Sequence, residues 1–276
     1  MKLNACLLLV ASLAATGVAR AQTAMPLASH RAAYEISLVD SYSARTPDSQ
    51  TPVSASGLIA YEFTGSACDG YASSFRQLTE LQRSEGDPLS SDIRAVTFED
   101  GDAKNLKFEI DSQSDNGSTP AVVGSARRAD SGDTTVALTK PSAETLDIGQ
   151  DVLFPTEHIE RIIAKAKQGA GTLQARVFDG SDTGKKVFET LTVIGKEATG
   201  PTPETDFANV LGKIRRWPVT VSYFDEAAKD APPEYVLSFD LYENGVSGSL
   251  KLDYGSFALT AKLRKLEILP ATACGK

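Results

Sequence analysis

The side chains best suited to acid–base chemistry or metal binding are the two histidines of the chain, His30 and His158. Two histidines alone do not complete a metal site, and the sequence does not show which carboxylates would join them. His158 falls in the first turn of a predicted helix, where a neutral imidazole, either on the surface or hydrogen-bonded, is the ordinary outcome. A Ser-His-Asp site is not indicated either, because no G-x-S-x-G motif occurs. We therefore predict no catalytic residue, no metal ligand and no cofactor.

Two tripeptides, Asp130-Ser131-Gly132 and Asp182-Thr183-Gly184, offer a second kind of chemistry. Aspartic proteases use a pair of such tripeptides to share one proton between two carboxylates. That dyad lies among buried apolar strands, whereas charged and polar residues flank both tripeptides here. The pattern predicts two exposed turns rather than a protease site.

Residues 1–21 have the features of a secretory signal peptide. Lys2 precedes an apolar run over residues 5–18, and Ala19-Arg20-Ala21 is a small-x-small cleavage pattern. The run is shorter than the ~20 apolar residues that span a bilayer, which disfavours the alternative of a membrane anchor. We expect cleavage before Gln22 and, in a bacterium, a soluble periplasmic protein without a transmembrane anchor.

The acidic balance limits the classes of partner. Removal of Lys2 and Arg20 with the signal peptide changes the formal net charge from −8 to −10. Such a charge disfavours nucleic acid and anionic membrane surfaces as partners. It suits a soluble protein, or a partner that carries basic patches.

Cys68 and Cys274 are the cysteines that remain after signal cleavage. In an oxidising compartment, an even pair predicts a disulfide. Two unpaired thiols are the alternative, and the spacing excludes a CxxC redox site. Closure of so long a loop contributes about 5 kcal/mol in the chain-entropy model, which is an upper figure because native strain subtracts from it.

The clearest helix covers residues 154–169. Its apolar residues recur at helical spacing and predict one buried stripe, which consists of Ile159, Ile162, Ile163 and Ala166. We expect Thr156 to cap the N-terminus and Gly169 to end the helix in a left-handed conformation. Such a stripe requires a surface to pack on, and a sheet is the best candidate.

Most of the remaining chain shows short alternating apolar segments. The predicted strands are residues 30–39, 57–64, 71–82, 93–99, 106–111, 121–128, 134–139, 173–178, 186–194, 219–224, 235–242, 246–254 and 257–269. Glu243-Asn244-Gly245 is the strongest hairpin signal, and Asp206 can cap a short second helix. The fold is therefore predicted to be mainly β. We expect residues 22–276 to form one domain with a large antiparallel sheet that curls or closes around the main helix.

Many aromatic residues fall in the predicted strands. They are Tyr34, Tyr61, Phe63, Phe75, Phe98, Phe108, Phe239, Tyr242, Tyr254 and Phe257. A curled sheet lined by these rings has the chemistry to hold an acyl chain or a glycolipid. Ordinary core packing around the helix is the favoured interpretation.

Five segments together resemble the EipB family of cell-envelope integrity proteins from alphaproteobacteria. They are YEFTGSACDGY at 61–71, FPTEH at 154–158, RWPVTVSYF at 216–224, LYENGVS at 241–247 and LDYG at 252–255. The resemblance spans essentially the whole mature chain. It implies a β-spiral, which is an open, barrel-like curled antiparallel sheet, and a disulfide between Cys68 and Cys274. It also implies a role in maintaining the cell envelope without a known catalytic activity.

The expected function is therefore that of a non-enzymatic periplasmic protein that supports envelope integrity through contacts with a protein partner. The alternative is a carrier of lipid or glycolipid that uses the concave face of the sheet, since the implied fold resembles periplasmic lipoprotein carriers. A concavity filled by the helix would argue against the carrier.

Overall fold

The computed structural model describes residues 26–39, 52–115, 117–228 and 230–271. The predicted signal peptide of residues 1–21, residues 40–51 between the first two predicted strands, and Cys274 lie outside this part of the chain. Within the part that is described, no helix is long and apolar enough to cross a membrane.

The described chain forms fifteen strands and two α-helices. The strands are β1 (His30–Leu38), β2 (Pro52–Ser66), β3 (Gly70–Arg83), β4 (Leu89–Glu99), β5 (Asn105–Ser114), β6 (Gly117–Arg128), β7 (Thr134–Lys140), β8 (Glu144–Asp147), β9 (Val152–Leu153), β10 (Thr172–Val177), β11 (Phe188–Ile194), β12 (Arg216–Asp225), β13 (Tyr235–Tyr242), β14 (Ser247–Asp253) and β15 (Ala258–Ile268). The helices are α1 (Pro155–Lys167) and α2 (Ala208–Leu211), and a 3₁₀ turn, Thr205–Phe207, leads into α2.

All fifteen strands belong to one sheet, in the order β8-β7-β6-β5-β4-β3-β2-β1-β15-β14-β13-β12-β11-β10-β9. Every neighbouring pair is antiparallel except β9 and β10. The sequence missed β8 and β9, because one is mainly polar and the other has only two residues. β2 also begins at Pro52, before the start at residue 57 that the sequence predicts. The hairpin at Glu243-Asn244-Gly245 is confirmed, with Gly245 at a φ of 85°.

The sheet curls strongly. β3 and β13 are five places apart in the sheet order, yet Phe75 and Leu237 line the same interior cavity. At the two ends of the sheet, the ring of Phe108 on β5 meets the ring of Phe178 after β10, with centroids 5.5 Å apart. The ends thus meet through side chains, while β8 and β9 remain edges of the strand order. The prediction of a large curled antiparallel sheet is confirmed.

The main helix fills part of the concave side. Its stripe packs against β11, β12 and β13, where Ile162 is fully buried and Trp217 is its largest buried neighbour. A second apolar cluster joins β1, β2, β14 and β15 to α2, and a third fills the place where the ends of the sheet meet. Gly169 follows the helix with a φ of 74°, as predicted. The second helix is short, as predicted, but the prediction that Asp206 caps it is wrong. Asp206 lies inside the 3₁₀ turn, and α2 begins after Phe207 without a side-chain cap.

Candidate functional site

An apolar cavity of about 300 Å³ lies between α1 and the concave face of the sheet. Ile159, the first residue of the helical stripe, forms one wall. The sheet supplies the other walls, and its main contributors are Tyr34, Ile59, Tyr61, Phe75, Gln77, Leu237, Leu250 and Leu252. Since α1 packs on β10 to β13, it leaves this space between its N-terminal half and the opposite strands.

A smaller space of about 110 Å³ adjoins the cavity. Both spaces are lined by His30, Tyr61, Ile159 and Gly245. The smaller space is more polar, because hydroxyl groups from β3, β4 and α1 face it. The hydroxyls of Ser73 and Thr97 hydrogen-bond to each other at 2.7 Å.

The polar side chains around the cavity are neutral. His30 is 2% exposed, and its Nδ1–H donates to the Ala28 carbonyl at 2.7 Å. Burial lowers the pKa of His30 below its usual range. Burial also raises the pKa of Tyr34 and of Tyr61. Tyr34 donates its hydroxyl to the Ser247 carbonyl at 2.8 Å, which joins β1 to β14 across the curl. The lining therefore presents apolar surface with a few uncharged hydrogen-bonding groups.

Glu99, the last residue of β4, holds the N-terminus of α1. Its two carboxylate oxygens accept the backbone N–H groups of Thr156 at 2.7 Å and Glu157 at 2.9 Å. Burial raises the pKa of Glu99 to about 7, although both N–H donors favour the charged form. The prediction that Thr156 caps the helix is wrong. Pro155 already occupies the first turn, and a carboxylate from the sheet takes the role of the cap.

The second histidine, His158, is also buried, and it lies one residue beyond the N–H groups that Glu99 accepts. Burial lowers the pKa of His158 to about 4, so the imidazole is neutral at physiological pH. Its Nε2 is buried without a hydrogen-bond partner in the described structure. Neither histidine forms a hydrogen bond with a carboxylate or a nucleophilic side chain there.

Comparison with known proteins decides the family. The family model described as EipB-like matches residues 21–270. The chain belongs to the EipB-like family. It is 37% identical over 266 residues to the cell envelope integrity protein EipB of Brucella abortus, and the match covers 94% of this chain and 92% of that protein.

A crystal structure from Brucella abortus shows the same fold. It is described as a β-barrel-like protein of a domain of unknown function, and it is 36% identical to this EipB-like chain. The TM-score is 0.80, and the match covers 90% of this chain and the whole of the other. The resemblance noted in the sequence is confirmed.

The two Asp-containing tripeptides of this EipB-like chain form separate turns. Asp130 is exposed between β6 and β7 and pairs with Lys104 at 2.9 Å. Asp182 is exposed between β10 and β11 and lies 3.4 Å from Lys186. Each carboxylate has its own lysine partner, which confirms the prediction of exposed turns. Among the described residues of the EipB-like chain, no group of three or more His, Cys, Asp or Glu side chains is placed to bind a metal.

Cys68 is exposed in the turn between β2 and β3. Its predicted partner, Cys274, lies outside the described residues, so the pairing stays a prediction. The EipB-like fold places the predicted aromatic residues differently. Tyr34, Tyr61 and Phe75 line the cavity, and Tyr34 is also part of a core cluster. Phe108 and Phe239 belong to the other two core clusters. The sequence missed Gln77 as a cavity residue, because a glutamine in a strand gives no signal of burial.

Proposed function

We propose that this chain is a non-enzymatic periplasmic protein that supports the integrity of the cell envelope through contacts with a protein partner. The observation that carries the proposal is the match, over 94% of the chain, to a protein named for cell envelope integrity. The roles of the buried titratable groups agree with it. Glu99 holds a helix and His30 holds a backbone carbonyl, so both groups serve the fold.

A clean deletion of the coding sequence in its source bacterium tests the proposal. The deletion strain should become sensitive to detergents and to antibiotics that act on the cell wall, and the wild-type chain expressed in trans should restore growth. Full resistance of the deletion strain would contradict the proposal.

We also propose that a disulfide between Cys68 and Cys274 fixes the fold. The backbone ladder supports this pairing. Leu269 N–H donates to the Ser29 carbonyl at 2.8 Å, and the Ser29 hydroxyl accepts the Gly65 N–H at 3.2 Å. The end of β15 therefore lies at the same end of the sheet as the turn that carries Cys68.

A second candidate function is the carriage of lipid or glycolipid, and the cavity of about 300 Å³ favours it. This volume is at the lower end of the roughly 300–1,000 Å³ found for small-molecule sites. The helix fills only part of the concave side, so the condition that would have argued against a carrier is not met. The apolar lining suits an acyl chain, and the neutral hydroxyls of the smaller space suit an uncharged polar group.

Native mass spectrometry of the mature protein from the periplasm tests the carrier. A stoichiometric adduct that extracts as lipid is expected from the wild-type chain and from Val193→Trp, which enlarges a side chain that is 49% exposed. Leu250→Trp, which fills the cavity, should abolish the adduct. A bare mass for the wild-type chain would reject this function and leave the proposal of protein contacts untouched.

A further inference from the structure

The two edges of the sheet differ in how well they are protected against pairing with another chain. The edge strand β8 carries acidic residues at both ends, and one of them, Glu144, pairs with Lys185. Charged side chains on an edge strand are a common device against pairing with another chain. At the opposite edge, β9 pairs only with Arg176 and Val177 of β10. The rest of β10, Thr172 to Ala175, has no strand on that side among the described residues.

The register shows which backbone groups of β10 face the open side. Ile194 N–H donates to the Gly171 carbonyl, and Thr172 lies opposite Val193. Residues that bond to an antiparallel neighbour alternate along a strand. Leu173 and Ala175, two and four residues after Gly171, therefore bond to β11. Thr172 and Gln174 lie between them and direct their N–H and C=O groups away from β11. Both of these residues are exposed.

This open segment lacks the usual protection. Its sequence, Thr-Leu-Gln-Ala, contains no charged residue and no proline. The inner side of the segment is occupied, because Leu173 packs against the cluster that surrounds α1. Its outer side is accessible. The segment is thus an uncharged strand edge, and two of its N–H groups and two of its C=O groups have no backbone partner among the described residues.

A groove of about 570 Å³ runs beside this edge on the outer face of the sheet. Gln174 lies opposite Leu191, and Glu189 lies opposite Phe224, so these side chains share the outer face. The apolar floor consists of Leu191 and Phe224, both half-buried.

The free charges of the groove are negative. Asp151 and Glu189 are exposed, whereas the guanidinium of Arg176 is held by Glu226 at 2.9 Å. The groove therefore favours small apolar side chains together with lysine or arginine.

We propose that the edge of β10 at Thr172–Ala175 receives an extended segment of a partner protein, which adds to the sheet as a further strand. Backbone hydrogen bonds to Thr172 and Gln174 hold the segment, and its basic and small apolar side chains lie over the groove. This inference rests on the proposed function, because it names the surface through which the protein contacts are made.

Site-specific photo-crosslinking in living cells tests the inference. The full chain carries p-benzoylphenylalanine in place of Thr172, and the adduct is identified by mass spectrometry. Gln174→Pro removes an outward N–H without breaking a bond to β11, and Gln174→Lys adds a positive charge to the edge. Thr145→Pro and Thr145→Lys are matched controls. Ile148 N–H donates to the Thr134 carbonyl, and residues that bond to an antiparallel neighbour alternate along a strand. Thr145, three residues before Ile148, therefore directs its N–H and C=O groups outward from β8.

The expected result is an adduct with another envelope protein that falls at least roughly fivefold with either Gln174 variant and is unchanged with either Thr145 variant. Thermal melting of each purified variant separates loss of binding from loss of fold. No adduct at position 172, an adduct that survives both Gln174 variants, or an adduct formed only with a second copy of the chain would overturn the inference. The inference and the proposed function can fail separately. If the deletion strain is sensitive to detergents but the partner crosslinks only from another face of the protein, the inference is wrong and the proposed function stands.

Discussion

Replacement of Glu99 by glutamine should change how the stability of this protein depends on pH. The pKa of Glu99 is about 7 in the folded chain, against a reference value of 4.5. This difference corresponds to about 3 kcal/mol of unfolding free energy. Because the folded-state pKa is the higher one, the contribution of this carboxyl group is complete below pH 4.5. It is lost as the pH rises through about 7. Glutamine keeps a carbonyl acceptor for the helix N–H groups but cannot ionise.

Urea unfolding of both proteins between pH 5 and pH 8 measures the effect. The free energy of unfolding of the Glu99→Gln variant, minus that of the wild type, should rise by about 2.5 kcal/mol over this range, in favour of the variant at high pH. Subtraction of the wild-type values cancels the titration of His30 and His158. The exposed Glu109→Gln is the matched control, because it removes the same charge without a buried contact. A difference that stays constant with pH would refute the reasoning.

Three further results are expected from stability measurements. Cys68→Ser should lower the melting temperature by several degrees, because the predicted disulfide contributes up to about 5 kcal/mol. Reductant should remove the difference between the two proteins. Equal melting temperatures without reductant would show that the thiols are not paired. Ile162→Ala should cost about 2–5 kcal/mol in chemical denaturation, since this side chain of α1 is fully buried against the sheet. A cost below that of Leu78→Ala, at a side chain that is 36% exposed, would contradict the role of the stripe. Gly245→Ala should cost at least about 1 kcal/mol in the same assay, because φ is 85° and the added Cβ would lie 2.9 Å from the side chain of Leu27. Wild-type stability of the variant would show that the hairpin adjusts to the new side chain without cost.

Much of the fold was predictable from local patterns. The helical stripe, the strand alternation and the Glu243-Asn244-Gly245 turn each depend on backbone sterics and side-chain period over a few residues. The failures have the same origin. β9 is too short, and β8 too polar, for either strand to show alternating apolar residues in the sequence.

The candidate site was predictable only in part. Tyr34, Tyr61 and Phe75 were recognised as aromatic residues of strands, and the structure places them around one cavity. No local pattern distinguishes a cavity from a filled core, because that depends on where α1 packs on the sheet. The two histidines were recognised as poor candidates for catalysis, but their burial and their lowered pKa values follow from the curl.

The sequence by itself determined the class of fold, the bounds of the main helix to within two residues, and the family. Each of these depends on short segments of sequence and on the order of those segments along the chain. The tertiary structure decided the rest. Glu99 and Thr156 are 57 residues apart and meet only because the sheet curls over the helix. The open edge of β10 likewise exists because β9 turns away after two residues of pairing. Contacts of this kind depend on the path of the whole sheet, which no local pattern specifies.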